Sequence, residues 1–354
     1  MPSTIASIWT LGHVKALGKA TGGVRPITLF EAPLKLATGV VLDSQKDSTV
    51  KALVPEQFGA MLSCGAEQMV HILRTLSCLH PPDTMVFAST DVKNAFGNAS
   101  RSLVVASVCQ HLPAFAHIII PLWGACPLTL HMPVGYLDFE SFEVVDGMFQ
   151  GECLSTAFFC FLLKDAIHDF RAKLAALPHL ADIKVHVLAY VDDAVIVCPK
   201  AHFAEVWGLW VQSLHKFRLP VVPHKCCSWI PGAVAIDDDV SSLAKQSLCG
   251  LPVLGSAAQG NFASFLTSPL DGTPPITNSI SPAAAPCKKR HDAAQELAAA
   301  LQAMMNLSLT SRSLHPAWLI LVKVLAVKLD YDCRISFPVL VDPFVQSFDS
   351  MLRA

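Results

Sequence analysis

The sequence is short of charge. Asp, Glu, Lys and Arg make up only 15% of 354 residues, and the formal net charge is -2. The basic excess that ordinarily holds phosphate backbones is missing, so a nucleic-acid role has to rest on a local basic groove. A disordered chain is excluded, because 52% of the residues are hydrophobic and can fill a sizeable core. There are twelve Cys but no Cys-x-x-C pair. Cys226 and Cys227 beside His224 offer half of a zinc site at most, and the thiols read as buried and reduced. The N-terminus lacks a basic start followed by a long apolar run, so no cleaved secretory signal is expected. The chain therefore reads as intracellular, in nucleus or cytoplasm, and not secreted. The run from Leu112 to Leu130 has no Asp, Glu, Lys or Arg. Pro113, Pro121 and Pro127 would break a spanning helix there, so no membrane partner is expected.

What is present is a mixture of helix and strand patterns without regular alternation, which predicts an α+β fold. Residues 17–40 open with a Gly-containing loop, LGKATGGVRPI. Residues 65–79 and 98–111 have helical spacing, and residues 84–91 read as a buried strand that ends in an acid. Residues 126–149 hold β-like runs, and Gly151 opens a long apolar helix to about Leu177. KVHVLAYV and AVIVCP are two short strands with Asp192 and Asp193 between them. Residues 201–218 form an amphipathic helix whose Trp207 and Trp210 read as core. Residues 257–287 are rich in Ser, Pro, Thr and Ala and read as a linker before further helical patterning.

Three short segments carry chemistry. In AYVDDAVIV, residues 189–197, two adjacent carboxylates sit at the tip of an apolar hairpin. Such a pair is costly unless a cation neutralises it, although a polar β-turn has the same composition. In FASTDVKNAFGNASR, residues 87–101, Asp91 closes the buried strand. It is placed either to meet a metal or to cap the helix that follows. Gln150 and Gly151 precede the long helix. Gly admits a close approach by backbone or ligand, and a helix N-terminus suits phosphate, though a plain turn would look the same.

Their order and spacing resemble the reverse transcriptases, in particular those of non-LTR retrotransposons. Asp91 with Ala95-Phe96 resembles that family's first catalytic motif, Gln150-Gly151 with Leu154-Ser155 its second, and Tyr190-Val191-Asp192-Asp193 its third. Arg25-Pro26-Ile27, Gln57-Phe58-Gly59, Leu219-Pro220 through Lys225, Leu254-Gly255 and residues 315–334 resemble further segments in the same order. The likeness runs from about residue 13 to 335. Two positions depart: Glu152-Cys153 stands where the family usually has Asp-Pro, and Val191 where its non-LTR members commonly have Ala.

The resemblance implies a right-hand polymerase: fingers, a palm with an antiparallel sheet carrying the catalytic aspartates, and a helical thumb. Residues 1–255 would form fingers and palm, 256–288 a linker, and 289–354 the thumb-like region. It implies two Mg2+ ions, with Mn2+ as a substitute, held by Asp91, the carbonyl of Val92, Asp192 and Asp193. Arg25 and Lys19 would meet the triphosphate, Lys225 the leaving pyrophosphate, and Gln150 and Gly151 the incoming nucleotide. Phe96 would exclude a 2′-OH. The partners implied are an RNA template, a DNA primer and dNTPs.

Two rivals remain on the sequence. One is a decayed or domesticated copy that binds nucleic acid without catalysis. The other is an RNA-dependent RNA polymerase, which usually has Gly-Asp-Asp in the third motif and an acid where Phe96 stands, whereas Tyr190 and Phe96 favour DNA synthesis. No endonuclease, RNase H or zinc-knuckle signature is present, and the chain begins almost at the fingers, as a piece of a longer element protein would. Template choice, priming mode and oligomeric state have no residue signature.

Overall fold

A computed structural model describes residues 12–18, 24–124, 128–133, 139–248, 251–253 and 256–258. Lys19, the Leu254-Gly255 turn and the thumb-like region lie outside the described residues, as does the linker beyond residue 258. The chain divides into two compact units. The first comprises Met1–Gly65, Val86–Cys226 and Asp237–Lys245, and it contains every described candidate residue.

Two sheets organise this unit. The first has strands β1 (Gly12–Gly18), β2 (Val24–Phe30), β4 (Leu128–Pro133) and β5 (Phe139–Val144), in the order β2-β1-β4-β5. β1 pairs antiparallel with β2 and parallel with β4, so the sheet is mixed. The segment around Arg25, expected in a loop, is thus strand. Pro26 is tolerated because β2 is an edge strand, where a missing N–H costs no ladder bond. Helices α1 (Ala32–Ser44) and α2 (Lys46–Leu53) follow.

In the second sheet β7 (Asp193–Pro199) lies between β6 (His186–Tyr190) and β3 (Met85–Thr90). β7 is buried from Ala194 to Cys198. Continuous burial means cover on both faces, which is why its sequence reads as an unbroken apolar run. The long helix α5 (Ser155–Ala176) packs between α4 (Arg101–His111) and α6 (Phe203–Lys216). Phe158, Phe159, Phe161 and Phe170 on α5 are fully buried, each contributing roughly 1.5–3 kcal/mol. Trp210, 0% exposed, rests edge-on against Phe170 and donates its indole N–H to Thr90 Oγ1 at 3.0 Å. Trp207 is also buried, so both tryptophans are core.

α5 begins at Ser155, four residues after Gly151. The Glu152 carboxylate explains the delay, because it accepts hydrogen bonds from the N–H groups of Leu154 and Ser155 at 2.7 and 2.8 Å. It thus satisfies two of the free donors at the helix start. The expected helix over 98–111 is interrupted: a single turn, Ala95–Asn98, precedes α4. Of the described cysteines, Cys160, Cys198 and Cys226 are buried, whereas Cys64 and Cys78 are exposed, against the expectation of uniformly buried thiols. No described helix is long and apolar enough to cross a membrane.

In the second unit, helix α3 (Gly65–Leu79) supplies Met69, Val70 and Leu73 as buried apolar residues. Strands β10 (Leu251–Val253) and β11 (Ser256–Ala258) form an antiparallel pair there. The short strand β8 (Cys227–Trp229) and most of β9 (Lys245–Ser247) belong to it as well.

Candidate functional site

The β6–β7 hairpin carries two of the three acids. Tyr190 pairs with Asp193, leaving Val191 and Asp192 as a two-residue loop. Such a tight turn needs positive φ at its first loop residue, a place usually taken by Gly. Val191 holds φ at 58°. For a β-branched residue this is strained by roughly 1–2 kcal/mol.

A neighbouring segment holds the strained turn. The buried side chain of Gln57 accepts from the N–H of Val191 at 2.8 Å and donates to its carbonyl at 3.1 Å. The amide oxygen also accepts from the Gly59 N–H at 2.9 Å. On the β6 side, Phe58 N–H donates to Ala189 O and Ala189 N–H to Glu56 O, each at 2.7 Å. A side chain at residue 59 is excluded, since its Cβ would stand 2.4 Å from the Val191 nitrogen. The sequence singles out this segment, but the clamp pairs residues 134 apart and leaves no local signal.

The third acid, Asp91, directly follows β3. Val92 and Val221 form an antiparallel bridge, flanked by Val222 N–H to Asp91 O at 2.9 Å and Lys93 N–H to Pro220 O at 2.8 Å. Those bonds use the neighbours' groups and leave the carbonyl of Val92 outside the ladder. The segment from Leu219 onward brings Lys225 to the site, its Nζ 3.8 Å from Asp91 Oδ1. Both side chains are partly exposed, so this ion pair stabilises little.

The three aspartates share one electrostatic environment. Burial pushes the Asp192 carboxyl up; its own backbone N–H pulls it back, the Asp91 charge adds to the rise and Arg25 opposes it. Asp193 is pushed up to about 6 by burial, then by Asp192 and Asp91. The feature is a set of mutually repelling carboxylates with one cationic arm from β2. Oxygen-only donors that pay this repulsion suit a hard divalent cation such as Mg2+ or Mn2+.

Phe96 and the Gln150–Gly151 turn complete the surroundings. Phe96 stacks on Phe159 of α5, with ring centroids 5.1 Å apart and 25° between the planes. Its carbonyl accepts from Met148 N–H at 2.7 Å, tying the helical turn after Asp91 to the segment leading into Gln150. Gln150 O accepts from Thr28 N–H at 2.7 Å, which docks β2 on the turn. Gly151 is required twice over: φ is 103°, and a Cβ would meet Thr28 O at 2.6 Å. One strand thus links the Gln150 turn to Arg25, which acts electrostatically on Asp192.

No protein-family model matches the chain, and no curated protein matches it in sequence. Solved structures do resemble it. Telomerase from Candida albicans, in complex with a TWJ fragment of telomeric RNA, is 12% identical with a TM-score of 0.53, covering 100% of this chain and 56% of that one. Telomerase from Candida tropicalis, with the same kind of RNA fragment, is 13% identical with a TM-score of 0.50, covering 92% of this chain and 53% of that one. The chain thus spans about half the length of these structures. The likeness shows that the chain shares the mixed helix-and-sheet fold of these structures.

Proposed function

We propose that this chain is an RNA-directed DNA polymerase, the fingers and palm of a right-hand enzyme from a non-LTR-type retrotransposon. In this reading residues 1–255 carry the site, 256–288 a linker and 289–354 a helical thumb. The observation that supports it most is the electrostatic meeting of Asp91, Asp192 and Asp193, with the Arg25 strand seated on the Gln150–Gly151 turn.

Each residue then has a task. Asp91 and Asp192, helped by Asp193 and the carbonyl of Val92, would hold two Mg2+ ions. Bound, such ions supply neutralising charge for the triphosphate and acidify the primer 3′-OH. Arg25 draws the triphosphate toward the carboxylates, with Lys19 as a second cation in this role. Gln150 and Gly151 orient the incoming nucleotide at the turn. The 3′-hydroxyl loses its proton to solvent water, its oxygen attacks the α-phosphorus, the bond to the bridging oxygen breaks, and Lys225 offers a proton to the departing pyrophosphate. Phe96, fixed on Phe159, fills the space a 2′-OH would need. Gln57 acts earlier: it keeps the hairpin tip in the one backbone conformation that presents both acids.

The partners are an RNA template, a DNA primer and dNTPs, in nucleus or cytoplasm. The test is primer extension on RNA and DNA templates with Mg2+, offering dNTPs and NTPs separately. Extension with dNTPs on RNA is the expected result. Extension with NTPs alone would point to an RNA polymerase. No extension by intact, folded protein would point to a decayed or domesticated nucleic-acid-binding copy.

A further inference from the structure

A second group of potential ligands lies along α5 and shares no residue with the aspartate site. Asp165 and His168 stand one helical turn apart, so they share a face. His111, the last residue of α4, faces them. Its Nε2 is 2.5 Å from Asp165 Oδ1, and its ring lies 5.9 Å from the His168 ring at 72°. One ligand atom from each of the three lies within 4.8 Å of the others. The cluster sits about 15 Å down the helix from Ser155, by the rise per residue.

We propose that His111, Asp165 and His168 form a transition-metal site that takes Zn2+. Two imidazoles and one carboxylate are a borderline donor set, which prefers Zn2+ and its neighbours to Mg2+. The site is built: the His111 ring stacks on Phe161 at 14°, and the side chains of His111 and Asp165 are only 14% and 18% exposed. His168 is exposed, which leaves an entry path and a place for a water as fourth ligand. Nearby charge is balanced, since Lys164 and Glu56 both act on His168. Tetrahedral zinc with ligands at about 2.0–2.2 Å spaces them roughly 3.3 Å apart. The ion therefore replaces the proton between His111 and Asp165, the pair opens by under about 1 Å, and the His168 ring swings in.

The alternative is a plain His111–Asp165 hydrogen bond with a solvated His168. Titration of the full-length protein with Zn2+ in excess Mg2+ separates the two, with Co2+ absorption reporting the coordination. The wild type is expected to bind one more equivalent of Zn2+ than His168→Ala and Asp165→Asn, with a tetrahedral Co2+ band lost in both. Asp192→Ala should bind like the wild type, which separates this site from the proposed catalytic one. His168→Ala, whose residue is on the surface, guards against a loss that reflects misfolding. Equal stoichiometry and affinity in wild type and His168→Ala would overturn the proposal and leave any Zn2+ to the cysteines.

Discussion

Gln57 grips Val191 at both ends of one residue, accepting from its N–H and donating to its carbonyl. Val191 is the strained residue of the hairpin, at φ 58°. Strain of this kind persists only where surrounding structure over-determines it. Gln57→Leu keeps the volume and removes both bonds. The expected outcome is a fall in kcat of roughly tenfold or more with little change in KM for primer-template. Steady-state extension kinetics, with folding checked by thermal melting, measure it. A rise in KM alone would assign Gln57 a binding role instead.

Phe96 is held by its stack on Phe159, so the position of its ring is fixed before any nucleotide arrives. Phe96→Val should raise NTP incorporation relative to dNTP by about tenfold or more, because the removed ring frees the space for a hydroxyl. Single-nucleotide extension with matched dNTP and NTP reads the ratio directly. An unchanged ratio would reduce Phe96 to a packing residue.

Asp193 has a pKa raised to about 6, and a metal binds only its ionised form. Protons therefore compete with Mg2+ below pH 6 and cease to do so above it. The Mg2+ concentration giving half-maximal extension should rise about tenfold per pH unit below 6 and level off above 7. Asp193→Asn should lose that pH dependence.

Glu152 tests the linkage in stability. Burial raises its carboxyl to about 6 against the hydrogen bonds from Leu154, Ser155 and Thr38, from an ordinary 4.5. The folded state thus binds the proton more tightly than the unfolded chain. Its contribution is fully present below about pH 4.5 and is lost as pH rises through 6, a change on the order of 2 kcal/mol. Glu152→Gln keeps an acceptor for Leu154 and Ser155 but cannot ionise. Denaturant melts should show the variant gaining on the wild type between pH 5 and 8. Parallel stability curves would contradict this.

Much of this arrangement is legible in local sequence. The hairpin of β6 and β7 shows itself because two apolar runs flank two acids, and β3 because it is an apolar run ending in Asp91. Long-range partners are not legible. Arg25 reads as loop because Gly and Pro surround it, yet pairing with β1 makes it strand. The helix after Gln150 starts late because a buried carboxylate, not the glycine, caps it. His111 joins Asp165 and His168 only through the packing of α4 on α5.

The proposed catalytic centre of three aspartates depends above all on Asp192 at the hairpin tip. Extension of a DNA primer on an RNA template should require Mg2+ in the wild type and fall to background in a folded Asp192→Ala protein. Extension that survives Asp192→Ala at a wild-type rate would show that the aspartates are not the catalytic centre.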